Sequence, residues 1–70
     1  METKTAIVGK RLKQYRLDAD MTQQEVADYA GIDRKTVNRI ENNHFLPNMD
    51  TLLRLAKAFS VNPSEIFKGL

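Results

Sequence analysis

At 70 residues and 8.0 kDa the chain has room for one small domain, and it carries neither cysteine nor tryptophan. Without thiols there is no disulfide staple and no thiolate metal cage, and the single histidine, His44, rules out a two-histidine metal motif. Eleven Lys and Arg against nine Asp and Glu leave a formal charge of +2, too little for a basic field over the whole surface.

The cations are unevenly placed. Residues 1–17 hold Lys4, Lys10, Arg11, Lys13 and Arg16 against Glu2 alone, and Arg34, Lys35 and Arg39 form a second group. Both groups are expected to contribute to a local basic face. No apolar run approaches the roughly 20 residues that cross a bilayer, and residues 1–10 lack the apolar stretch of a signal peptide. Cytosol or nucleoid is the expected location, with no membrane partner.

In chain order, Val8, Leu12 and Tyr15 recur at i, i+4 and i+7, which predicts a helix over roughly residues 5–18, ended by Asp18-Ala19-Asp20. Thr22-Gln23-Gln24-Glu25 spells a capping box, opening a second helix with Val26, Ala27 and Ala30 inward and Gly31 closing it. After the short turn Ile32-Asp33, Asp33 is placed to cap a third helix with Val37 and Ile40 on its inner side. That helix should end at Asn42-Asn43, with Asn43 in the left-handed conformation. Pro47-Asn48 opens a fourth, with Leu52, Leu53, Leu55, Ala56 and Phe59 as its apolar side. Asn62-Pro63-Ser64-Glu65 supplies an N-cap, a first-turn proline and a capping-box Glu for a short fifth helix bearing Ile66 and Phe67. No stretch alternates with period two. The predicted fold is all-α: five helices in one domain spanning 1–70, with no room for a separate sensor domain.

The second and third helices, joined by a very short turn, have helix-turn-helix spacing over residues 22–42. Counting from Gln23, Ala27 falls where the two helices touch and a larger side chain would wedge them apart. Gly31 falls in the turn, where a positive φ is needed. Val37 and Ile40 fall on the inner face opposite Val26 and Ala27. With LKQYR (Leu12 to Arg16), MTQQEVADYAGIDRKTVNRIEN (Met21 to Asn42) and PNMDTLLRLAKAFSVNPSEIF (Pro47 to Phe67), the chain resembles the lambda-repressor-like family of phage Cro and repressor-type helix-turn-helix regulators over nearly its whole length.

The resemblance implies a sequence-specific double-stranded-DNA-binding transcriptional regulator whose recognition helix, 33–42, lies in the major groove. Its outward residues, Arg34, Lys35, Asn38 and Arg39, would meet base edges, since Arg can fork onto guanine and Asn can pair with adenine. Gln23 matches a position that holds the DNA backbone at a helix N-terminus, with Thr22 beside it as cap and contact. Asn42, Asn43 and His44 follow the recognition helix, where the family also touches phosphate. Arg16 and Glu41 match positions that form an ion pair between the first helix and the end of the third.

Relatives often have a Gly and a basic residue where this chain reads Asn43-His44-Phe45-Leu46-Pro47. Phe45 and Leu46 either lock onto the fourth helix or join a subunit interface. A homodimer is expected, with Phe45, Phe67 and Leu70 as its apolar contacts. Neither a cofactor, a metal nor a small-molecule ligand is called for, and the scattered acids offer no catalytic spacing, so an enzyme is not expected. The rival reading is a protein-interaction module of antitoxin or anti-repressor type on the same fold.

Overall fold

The starts of the helices follow from side-chain chemistry. A computed structural model describes residues 2–70 as α1 (Lys4–Asp18), α2 (Gln23–Ala30), α3 (Arg34–Glu41), α4 (Met49–Phe59) and α5 (Pro63–Phe67), with no strand among the described residues. Thr3 Oγ1 accepts the Ala6 amide at 3.1 Å, and Asn48 Oδ1 accepts that of Thr51 at 2.9 Å. The capping box of α2 is made in both directions. The Glu25 amide donates to Thr22 Oγ1 at 3.0 Å, and the Thr22 amide donates to Glu25 Oε1 at 2.9 Å.

Three expectations need correcting. Asp33 stands at the N-cap of α3 with extended backbone, but its carboxylate accepts no capping bond. Its main-chain carbonyl starts the helix instead, accepting the Val37 amide at 3.2 Å. At α5, Asn62 Oδ1 takes both the amide and the hydroxyl of Ser64, at 3.0 and 2.9 Å. The asparagine thus closes on the residue two ahead, not three, and Glu65 has nothing to reciprocate. Leu53 is 46% exposed, because Leu52, Leu55, Ala56 and Phe59 already fill the i, i+3, i+4, i+7 stripe and Leu53 falls about 100° away from it.

Gly31 ends α2 with φ 70°, and Asn43 takes the left-handed conformation expected of it, with φ 65°. Asp20 and Ser60 do the same after α1 and α4, a role usually left to Gly or Asn. No helix among the described residues is long and apolar enough to cross a membrane.

Every helix contributes to one core. Val8 and Leu12 come from α1, Val26, Ala27 and Ala30 from α2, and Val37 and Ile40 from α3. Leu52, Leu55, Ala56 and Phe59 come from α4, and Ile66 from α5. Burying each Leu, Ile or Val in full contributes about 1.5–3 kcal/mol. The small Ala27 and Ala30 let α2 lie between α3 and α4, while α1 packs on α3, α4 and α5.

Two polar features complete this scaffold. Arg11 Nη1 donates to the main-chain carbonyls of Ile66 at 3.1 Å and Glu65 at 3.4 Å, and the Tyr15 hydroxyl donates to Glu65 at 3.2 Å. Side chains of α1 therefore hold the carbonyls of α5, a five-residue helix too short to be stable alone. Gly9 is buried where α1 crosses α3, and a Cβ there would lie 2.6 Å from the Ile40 carbonyl oxygen and 2.5 Å from Asn43 Oδ1. A mid-helix glycine usually costs about 0.5–1 kcal/mol relative to alanine; here the close approach of two backbones requires it.

Candidate nucleic-acid interface

The two sides of α3 differ in chemistry as well as in exposure. Val37 and Ile40 are buried, while Arg34, Lys35 and Arg39 point outward and are exposed. Among the described residues no carboxylate lies within ion-pair distance of these cations, the pairs present being Lys10–Glu2, Arg16–Glu41 and Arg54–Asp50. The cations of α1 behave otherwise. Lys10 is paired with Glu2, Arg11 is turned onto α5, and Arg16 is turned onto Glu41, which leaves Lys4 and Lys13. The expectation that the first helix contributes its cations to a basic face is thereby narrowed: acceptors elsewhere in the chain lie within reach of three of its long side chains.

Behind the outer face of α3 runs a chain of polar contacts. The Glu41 side chain is 4% exposed and receives Arg16 Nε on Oε2 at 2.7 Å and Arg16 Nη2 on Oε1 at 3.1 Å. Arg16 Nη1 also donates to the Met21 carbonyl at 2.9 Å, and Gln23 Nε2 adds a bond to Glu41 Oε1 at 3.1 Å. Asn38 Nδ2 reaches Gln23 Oε1 at 3.5 Å, the longest link, and Asn42 Nδ2 donates to the Asn38 carbonyl at 2.8 Å and to Asn38 Oδ1 at 3.1 Å. The sequence Asn42, Asn38, Gln23, Glu41, Arg16 therefore ties the length of α3 to the start of α2 and to α1. Every buried side-chain polar atom among the described residues has a partner. Removing Glu41 would strand a nearly buried guanidinium.

This geometry sorts the residues singled out from sequence. Arg34 and Lys35 stand free at the start of α3, and Arg39 stands near its end. Asn38 is half-buried and already engaged with Gln23 and Asn42, so one amide N–H is left to turn outward. Gln23 is likewise engaged on both ends of its amide. Thr22 Oγ1 serves as the cap, with its O–H still free to donate. Asn42, Asn43 and His44 are exposed around the C-terminal end of α3, and the His44 amide donates to the Arg39 carbonyl at 3.0 Å.

Two functional neighbours do not appear among the contacts expected from sequence. The Arg39 guanidinium lies over the ring of Phe45, 5.5 Å from its centroid, a cation–π distance. Pro47, and neither Phe45 nor Leu46, is the buried residue of that loop. Gly9 is the other, and its signal was readable: a glycine inside an otherwise regular helix points to close packing. Among the described residues no group of three or more His, Cys, Asp or Glu is placed to hold a metal ion.

A helix-turn-helix family model matches residues 12–66. The uncharacterized HTH-type transcriptional regulator MJ0272 of Methanocaldococcus jannaschii is 33% identical over 57 residues, covering 81% of this chain and 86% of that protein. The restriction-modification controller protein C.AhdI from Aeromonas hydrophila superposes with a TM-score of 0.86 at 28% identity, covering 90% of this chain and 96% of that one. The P22 c2 repressor, solved in complex with synthetic operator 9T, superposes with a TM-score of 0.82 at 25% identity, over 90% and 96% of the two chains. With its capping box, glycine turn and inward Val37 and Ile40 inside the matched span, the chain belongs to the helix-turn-helix family of Cro/C1-type transcriptional regulators.

Proposed function

We propose that the protein is a sequence-specific, double-stranded-DNA-binding transcriptional regulator of repressor type that occupies an operator without cofactor or covalent chemistry. The observation that carries this reading is the outer face of α3, where Arg34, Lys35 and Arg39 stand exposed with no carboxylate in reach. Cations held this way on a rigidly packed helix suit the major groove, which admits a helix and offers guanine O6 and N7 to an Arg fork. Arg34, Lys35 and Arg39 are assigned to base edges, with Asn38 beside them through its remaining N–H. Thr22, Gln23, Asn42, Asn43 and His44 are assigned to phosphates, flanking α3 at the start of α2 and past its own end. The operator complex of the P22 c2 repressor supports this orientation by analogy. The protein-interaction alternative is disfavoured, because Arg34, Lys35, Asn38 and Arg39 on the outer face of α3 suit DNA better than an apolar patch would.

One recognition helix reads few base pairs, so two copies placed about 34 Å apart on successive grooves are the natural active form. The residues expected as apolar contacts of such a homodimer are not equally exposed. Phe67 packs against the core, whereas Phe45 and Leu70 stay at the surface at 36% and 37% exposure, together with Leu46, Met49 and Leu53. Cytoplasm or nucleoid is the compartment this role requires.

Selection of bound sites from random double-stranded DNA tests the reading. Enrichment of paired half-sites centred about one helical turn apart is expected, with affinity falling steeply as salt rises. Recovery of unenriched sequence would overturn it.

A further inference from the structure

Arg39 and Phe45 lie on different elements, α3 and the loop after it, and three contacts determine how they meet. Asn43 turns the chain through a left-handed φ of 65°, and its side chain lodges against Gly9 of α1. The His44 amide then donates to the Arg39 carbonyl at 3.0 Å, folding the loop back along the end of α3. The next residue is Phe45, whose ring comes to lie 5.5 Å from the Arg39 guanidinium. A free arginine on a helix surface samples many rotamers. Here the guanidinium has no carboxylate in reach to hold it and has an aromatic face instead. A cation–π contact holds the guanidinium without pairing its N–H donors to an acceptor atom, which leaves the bidentate fork available. A carboxylate in the same place would consume it.

We infer that Phe45 is a positioning and specificity-determining residue: it holds Arg39 ready for one base pair and touches no base itself. The inference rests on the DNA-binding reading above. The contact also gives a reason for a large apolar side chain standing 36% exposed at this position of the loop, where burial does not account for it. Holding the fork before DNA arrives reduces the side-chain entropy lost on binding, and a correctly placed fork rejects a wrong base more strongly than a mobile one.

The test has a part without DNA and a part with it. In the free protein, the Arg39 side-chain protons should show an upfield ring-current shift in NMR spectra. That shift should vanish in Phe45→Leu and persist in Phe45→Trp. Its absence from the unmodified protein would overturn the stacked pose. Site selection with the unmodified protein and Arg39→Ala then identifies the base pair whose preference depends on Arg39. At that pair Phe45→Leu should lose about two- to fivefold in discrimination, the strength of an exposed cation–π contact, while Phe45→Trp retains it. Discrimination unchanged in Phe45→Leu would overturn the specificity role. An unmodified protein that selects no sequence at all would instead remove the DNA reading and leave the stacked pair standing as a structural contact. Melting curves within a few degrees for all four proteins would separate these outcomes from misfolding.

Discussion

Helices α1 and α3 are both rich in cations and use them in opposite ways. In α1, Lys10 meets Glu2, Arg11 meets two carbonyls of α5, and Arg16 meets Glu41, so three positive side chains serve the protein's own interior or its own acids. In α3, Arg34, Lys35 and Arg39 meet none, and the one carboxylate of that helix, Glu41, is turned inward and neutralised by Arg16. A net charge of +2 therefore says little about affinity for a polyanion. What decides it is whether an acceptor lies within reach of each cation. The contrast also shows a division of labour, in which α1 holds α3 in place and α3 presents its charges outward.

The largest expected effect comes from cutting the link between the two helices. Glu41→Ala strands Arg16 and Gln23 and should destabilise the fold by about 3–5 kcal/mol. In a domain this small, each kcal/mol moves the melting temperature by about 4–8 °C. A midpoint within 4 °C of the unmodified protein would show that the buried pair does not anchor α3. Gly9→Ala attacks the same junction sterically, since the new methyl would collide with the Ile40 carbonyl. A loss of about 1–3 kcal/mol is expected from urea denaturation. An unaltered midpoint would mean that α1 and α3 can part without penalty.

On the outward side the expectation reverses. Arg39→Ala should cost about 1–3 kcal/mol in binding to a selected site and change folding stability by no more than about 1 kcal/mol, the strength of its contact with Phe45. An equal loss on random DNA would move Arg39 from base readout to a phosphate contact. The smallest effect belongs to Lys10→Ala, an exposed pair with Glu2, which should shift stability by no more than about 0.5 kcal/mol and leave the salt slope of DNA binding unchanged. A slope reduced by about 1 would place Lys10 at the DNA and blur the division between the helices.

The fold was largely legible because its signals are local. Thr22 with Glu25, Gly31, Asn43, Asn48 and Asn62 each act within four residues along the chain, and apolar spacing identifies the inner face of each helix. Leu53 shows where that reading fails, since a run of leucines does not say which of them lies off the stripe. The outer cations of α3 were legible by the same periodicity, being what remains opposite Val37 and Ile40. The engagement of Asn38 with Gln23, the turn of Arg11 onto α5 and the stacking of Arg39 on Phe45 were not. Long polar side chains reach across elements, and their partners depend on inter-helix distances that no local pattern encodes. Asp33 makes the complementary point: a residue of the right type at the right position can leave its carboxylate in solvent when its backbone carbonyl already starts the helix.

The bonds from Arg11 and Tyr15 to the end of α5 join residues 50 to 55 positions apart. Contacts of that range are slow to form, because the loop between them must close before they give anything back; by polymer scaling a loop of this length costs about 3.5 kcal/mol of entropy beyond a constant. During synthesis, then, α2 and α3 can pair as soon as both have emerged, while the bonds from Arg11 and Tyr15 wait until Glu65 and Ile66 have left the ribosome. Because α3 rests on α1 through Gly9 and Glu41, and α1 is tied in turn to α5, the support behind α3 is complete only after the same closure. A nascent or C-terminally clipped chain would carry the whole recognition helix and still lack a rigid surface with which to read.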